Sequence, residues 1–514
     1  MKRIYIFSML AFLFAGNTKA QDNASATAAT DSLKVIVQQA EKGNAVAQNI
    51  VGTWYYNGKH YAQDYGKAFQ WWSAAAAQKN VEAYGNLGLL YQYGRGVERD
   101  SVKALRLYVS SINGGNKQLL QQREALAEKG KDNFNSILAG ICYQEGKGVA
   151  QNTNRAIQLF SLAAKNNSAD AYRELGFIYQ RAKKEDVAQR MFANAAKLGD
   201  IPSAYQYAKT VIKSKSATPA QSQEAVSYLI KAAEAGNLQA QCDLGMLYYQ
   251  GNIVTKDMPN AVKWFKTAAT GGWPMAQWNL ALCLIDGNGT ERNYDEAIYW
   301  LGEATAKGYM KMFTSQCNDS EKGWKDKPFM TYLKGMSLYF AENKDVTGAY
   351  ETFKEIRKDV PEAQIMMSVC LANKNYKKPN AKKAFKELAK VAETGNAVAQ
   401  FYVASLYEAG NGTDKDTEKA VQLYKQAADG GYAVAQCYLG DLFYEGRLTK
   451  QSYADAVRYY QMAEAQGQLT ETAALRYAQC LTDGLGGLTK DAEKAEALKK
   501  RDFKNHVIPM LRTL

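Results

Sequence analysis

Two histidines, His60 and His506, stand at opposite ends of this 514-residue chain. A Ser-His-Asp triad needs one imidazole as base, and a histidine zinc site needs several together, so this supply leaves little for either. No Ser-x-x-Lys occurs to carry an activated serine of the β-lactamase type. No Cys-x-x-Cys pair is present either. Gly94-Arg95-Gly96 and Gly287-Asn288-Gly289 have the first two glycines of a phosphate loop, but they lack the third and follow helical patterns instead of strands. Asp414, Asp416 and Glu418 approach the spacing of a calcium loop, yet lysine occupies the place where that loop needs glycine, and helix capping accounts for the acids. We therefore expect no catalytic residue, no cofactor site and no metal site: not an enzyme.

The elements that position these residues repeat. Residues 397–432 and 433–468 are two near-copies of one unit. In the first copy Ala399, Val403, Leu406 and Tyr407 mark one helical face, and Gly410 and Gly412 stop that helix. Asp416 then stands where a second helix must begin, where its carboxylate can accept from free backbone N–H groups. Ala420, Val421, Leu423, Tyr424, Ala427 and Ala428 form the apolar stripe of that second helix, which Gly430 and Gly431 close. Each unit is thus a helix hairpin. At the Asp416 position the other units carry Asp64, Asp100, Asn152, Asp257, Asn293, Asp345, Asn380 and Ser452, all good N-cap residues. At the Gly410 position stand Gly58, Gly94, Gly146, Gly251, Gly287, Gly446 and Gly484. A small residue recurs inside the first helix (Gly52, Gly88, Gly140, Gly176, Gly245, Ala281, Ala404, Gly440). Glycine there costs about 1 kcal/mol of helix propensity, so the partner helix is expected to approach closely.

The pattern, Leu-Gly, then Tyr-x-x-Gly-x-Gly, then Ala-x-x-aromatic-x-x-Ala-Ala-x-x-Gly, resembles the Sel-one-like repeat, a relative of the tetratricopeptide repeat. VEAYGNLGLLYQYGRGVERDSVKALRLY from 81 and LQAQCDLGMLYYQGNIVTKDMPNAVKWFKTAATGG from 238 carry the resemblance best, which extends from about 45 to 490. It implies an all-α fold, a right-handed α-solenoid of about twelve helix-turn-helix repeats. It also implies a concave groove and a scaffold or adaptor role for a protein or peptide partner. In related arrays the first helices line that groove. On this register Met246, Tyr249, Trp278, Glu408, Asp441 and Tyr444 are the candidate groove-lining residues, with aromatic and methionine anchors and acids setting polarity. Trp71, Trp72, Trp264 and Trp300 fall on second helices and are expected in the core.

Cys142, Cys283, Cys370 and Cys480 share one register position, where other units hold Leu90, Leu406 and Leu442, so cysteine serves there as a small hydrophobe. Cys242 and Cys437 share another, and Cys317 stands alone. Cysteine-rich members of the resembling family pair one cysteine from each helix of a hairpin. The second-helix positions here hold Ala-Ala, so free thiols are expected.

Met1, Lys2, Arg3, the apolar stretch Ile4 to Gly16 and the small residues before Gln21 read as a signal peptide over 1–20, cleaved near Ala20. That makes the chain exported, periplasmic or secreted, with no membrane span after it. A leader and N-terminal capping helix follow at 21–44, then a repeat array at 45–309 with an extra helix at 117–132. An interruption at 310–328, a second array at 329–490 and a capping helix and tail at 491–514 complete the expected order. The net charge of +13 comes from interleaved Lys+Arg and Asp+Glu with no run of five or six like charges, which reads as a solvated surface and not as a nucleic-acid site. The expected function is a non-catalytic exported scaffold. The alternative is a cell-envelope hydrolase for cell-wall or β-lactam substrates, which a pair of buried carboxylates in the groove would favour.

Overall fold

The computed structural model describes residues 33–129, 133–214, 216–319, 323–324, 327–340 and 344–501. All its regular elements are helical, and they follow one another as tandem hairpins, an α-solenoid. The expected signal peptide and the end of the tail lie outside the described residues. No described helix is long and apolar enough to cross a membrane.

The hairpin chemistry is present at the positions where the register puts it. Ala397–Ala409 and Thr417–Asp429 form one hairpin, and Asp416 accepts from the Lys419 backbone N–H at the start of its second helix. Asp64, Asp100, Asn152, Asp257, Asn293, Asp345, Asn380 and Ser452 make the same cap, each accepting from the N–H three residues on. Gly410 ends its helix in the left-handed conformation at φ 66°. Gly412, also left-handed, lies so close to the preceding hairpin that a Cβ would fall on the Ala381 carbonyl. The glycine turn therefore closes a hairpin and docks it on the one before.

Where the small residue inside a first helix is glycine, it meets an aromatic ring of the partner helix. A Cβ on Gly140 would lie 2.6 Å from Phe160, and one on Gly440 would lie 2.5 Å from Tyr460. Those rings are fully buried, as are Trp72 and Trp300, whereas Trp71 and Trp264 are half-buried at the edge of the core. All seven cysteines are buried and unpaired. Burial pushes the thiols of Cys142, Cys242 and Cys370 up to about 12, consistent with an apolar packing role.

A second device joins hairpins and was not anticipated. In Gln48, Gln241, Gln277, Gln400 and Gln436 the buried amide donates to the carbonyl eight residues earlier, at 2.9–3.4 Å. Those carbonyls, of Ala40, Ala233, Ala269, Ala392 and Ala428, lie in the last turn of the preceding helix, where each also accepts from the backbone N–H three residues on, so the glutamine is a second donor that ties two hairpins together. The run Ala-x-Ala-Gln at 397–400 and 433–436 was the visible sign of it.

The chain divides into two compact units, 1–210 and 211–514, at a boundary inside the helix Ile201–Lys213. In the first unit an added helix, Lys117–Glu128, is held by Arg123, whose buried guanidinium donates to the Tyr108 hydroxyl at 2.7 Å and lies over its ring. The segment 310–328 lies within the second unit. Its helix Met310–Asn318 buries Phe313 and Cys317, and Trp324 stacks on Trp278 with ring centroids 5.9 Å apart. The second unit also returns to itself. The Tyr299 hydroxyl donates to the carbonyl of Gly467, 168 residues further on, at 2.9 Å. A guanidinium N–H of Arg501 donates to the same carbonyl at 2.7 Å.

Candidate functional site

Five of the six candidate groove residues are half-buried or exposed on first helices of the second unit, and one is not. Trp278 is 1% exposed, packed between Trp324 and Tyr309. Its register is that of Cys242 and Cys437, which are also buried, so this position faces the neighbouring hairpin instead of solvent. Tyr249 is exposed, and Met246 is half-buried with its sulfur 3.4 Å from the Asn279 amide.

Glu408, Asp441 and Tyr444 come together in one surface network. Glu408 accepts from the hydroxyls of Tyr424 and Tyr438, both at 2.8 Å, and from Arg447 at 2.7 Å. Burial raises its carboxyl, but these three donors outweigh that and hold it below the usual carboxylate range. Arg447 continues to Glu445 at 3.2 Å, and Glu445 pairs in turn with Arg476. Arg476 reaches Asp441 at 2.9 Å and lies over the ring of Tyr444. Tyr460 donates to Asp441 at 2.8 Å. One unbroken chain of opposite charges thus runs across consecutive hairpins, with Arg447 its most exposed member at 44%. The acids are committed to arginines. What they present outward is a pattern of guanidinium groups and tyrosine rings.

Sequence reasoning missed Arg447 and Arg476. Arg447 follows the turn glycine Gly446, where no stripe argument looks. Arg476 occupies the register of Tyr438 and Asn279, a position whose residue type varies from hairpin to hairpin.

A second feature of this unit is a cavity of about 510 Å³ where the starts of helices Tyr294–Ala304, Pro361–Ala372 and Ala397–Ala409 meet. Asp295 and Glu362 line it. Tyr332 donates to Asp295 at 2.5 Å, and Glu362 accepts from the backbone N–H of Tyr294 at 3.3 Å. Asp295 is half-buried at the edge of the cavity. Burial and the nearby Glu362 charge push its carboxyl up to about 6 despite the Tyr332 hydrogen bond. Arg292, also in the lining, is engaged elsewhere, donating to the Asp359 carbonyl and lying over Tyr294.

Comparison with known proteins gives the relationship. The model of the Sel1 repeat matches residues 45–80, 81–116, 137–168, 201–237, 238–273, 274–309, 397–432, 433–468 and 472–498, more than half of the chain. A putative sel1-like repeat-containing protein of Acanthamoeba polyphaga mimivirus is 30% identical over 119 residues, covering 23% of this chain and 22% of that one. Protein sel-1 homolog 2 of Mus musculus is 24% identical over 252 residues, 49% of this chain and 31% of its own. The chain thus spans less than a third of the length of either relative. Among solved structures, a protective antigen of uropathogenic Escherichia coli with an SLR fold aligns over 94% of this chain and 96% of its own, at 23% identity and a TM-score of 0.38. A Sel1 repeat protein from Oxalobacter formigenes covers 60% of this chain and 95% of its own, at 22% identity and a TM-score of 0.24. With its repeats matched in register from residue 45 to 498, the chain belongs to the Sel1 repeat family.

Proposed function

We propose that this protein is a non-catalytic scaffold, exported from the cell, that holds a protein or peptide partner along the surface its first helices line. The observation that supports this is the charge chain from Glu408 through Arg447, Glu445 and Arg476 to Asp441, with Tyr444 beside it. Its side chains are held in place before any partner arrives, so binding costs little side-chain entropy, and an arginine with a tyrosine edge is a common centre of binding energy. The test uses the full chain as bait for proteins of the native envelope, with Arg447→Ala and Tyr444→Ala as comparators. Both variants should fold as the parent does by circular dichroism and lose the captured protein. Undiminished capture by both would remove this surface from the reading.

The cavity favours a second reading, an envelope hydrolase. A carboxyl near 6 can give and take a proton around neutral pH, and Glu362 supplies a second carboxylate in the same lining. Release of product from cell-wall glycan or a β-lactam, abolished in both Asp295→Asn and Glu362→Gln, would establish it over the scaffold.

A further inference from the structure

The helix Ala381–Ala392 is the second helix of its hairpin and buries Ala384, Leu388 and Ala392. On its other side Lys382, Lys383, Lys386 and Lys390 are all exposed. Spacings of one, four and eight residues put these four on a single face, about 12 Å long at 1.5 Å per residue. The turn leading into the helix adds exposed Lys374, Lys377 and Lys378. It is fixed in place, because the Lys377 backbone N–H donates to Thr347 at 3.2 Å and the Asn380 backbone N–H donates to Leu371 at 2.9 Å. Residues 374–390 therefore hold seven lysines and one acid, Glu387, a net of +6 out of +13 for the whole chain. Glu387 lies 3.8 Å from Lys383 and also accepts from Ser368. The other six lysines have no ion-pair partner among the described residues.

The expectation of interleaved, unconcentrated charge fails here. Reading along the chain, the lysines are separated by apolar residues, and no run of like charge appears. The helix turns those apolar residues inward and gathers the lysines.

We propose that this face adsorbs to an anionic lipid surface. Six uncompensated ammonium groups, three on the helix face and three in the anchored turn before it, call for a polyanion, and the residue types choose among polyanions. The segment has no arginine to fork onto a single phosphate, and its one tyrosine, Tyr376, is half-buried against Tyr350 and cannot stack on a base. Neither does the lysine face carry an exposed apolar side chain that would insert into a bilayer. What remains is diffuse attraction between compact charges and a field of headgroups, at about 1 kcal/mol for each lysine near the surface. This goes beyond the scaffold reading. The lysine face lies on a second helix, so lipid contact leaves the first-helix surface free for a protein partner.

The test is co-sedimentation of the full chain with phosphatidylcholine vesicles, with and without phosphatidylglycerol, at low and high salt. The parent should bind only the anionic vesicles and release them in high salt. Lys382, Lys383, Lys386 and Lys390 all changed to Gln should lower the partition about fivefold per lysine, the equivalent of about 1 kcal/mol each, or more than a hundredfold together. A control variant removes the same charge from the exposed Lys117, Lys129, Lys165 and Lys197 of the first unit and should bind as the parent does. Three results would overturn the proposal: no binding to anionic vesicles, equal loss in both variants, or displacement of the protein from vesicles by duplex DNA acting through the same four lysines.

Discussion

Gly140→Ala tests the close helix approach seen in the hairpins that carry glycine inside the first helix. In an unconstrained helix this change stabilises by about 1 kcal/mol, because alanine is the better helix former. Here the new Cβ would lie 2.6 Å from Cε1 of Phe160 and 2.9 Å from two further ring atoms, all in a ring with no exposed surface. Such distances force the ring or the helix to move, and overpacking of this kind costs about 1–3 kcal/mol. The two effects oppose each other, and overpacking should win, for a net loss of up to about 2 kcal/mol. Urea unfolding followed by circular dichroism, with hydrogen exchange on the hairpin 133–165, would measure it. Exchange matters because stability in a repeat array is a nearest-neighbour sum, and damage should appear first in the altered hairpin. The double variant Gly140→Ala with Phe160→Leu makes room for the methyl and should be more stable than the sum of the single changes implies, by about 0.5–3 kcal/mol. A single variant as stable as the parent plus the full propensity gain would refute the close-approach account.

Two further outcomes follow from buried polar groups. Gln436→Leu keeps most of the side-chain volume and removes the 2.9 Å amide donor to the Ala428 carbonyl, which still accepts from the Gly431 backbone N–H at 3.1 Å, and should cost about 0.5–1.5 kcal/mol in the same urea assay; no change would mean that the glutamine clamp is incidental. Asp295→Asn keeps an acceptor for Tyr332 and removes the charge. The folded carboxyl titrates about 6, above its unfolded value near 3.9, so the native state holds the extra proton between those values. Stability contributed by Asp295 is therefore greatest below pH 4 and falls as pH rises through 6. The variant should gain up to about 2–3 kcal/mol over the parent at pH 7 and nothing at pH 4, and equal stabilities at both pH values would contradict the burial of that charge.

How much of this was legible depended on the kind of signal. The nine N-caps, the turn glycines and the small helix positions could be read because backbone geometry admits few residue types at each, and repetition made the restriction visible. The glutamine clamp obeys the same kind of restriction and left its Ala-x-Ala-Gln trace, but a polar residue on an apolar helix face does not announce which carbonyl it serves. The site was read less well. Glu408 and Asp441 were placed on the surface, but their charge had already been taken up by Arg447 and Arg476, partners 39 and 35 residues away in sequence, in the next turn and the next hairpin. The inward turn of Trp278 could have been inferred from Cys242 and Cys437, since a position that takes cysteine in one hairpin and tryptophan in another is defined by burial and not by size.

The cavity beside Asp295 lay further from view, because it depends on contacts that the repeat does not encode. Glu362 reaches the start of a helix 68 residues earlier in the chain, and Tyr299 meets Gly467 across 168 residues. A period of three dozen residues specifies only the contact between one hairpin and the next, and fixes neither of these. Both join helix Tyr294–Ala304 to later hairpins, across the segment 305–328 where the repeat is broken. The contact that brings Asp295 and Glu362 to one cavity thus spans residues 310–328, where no repeat is matched.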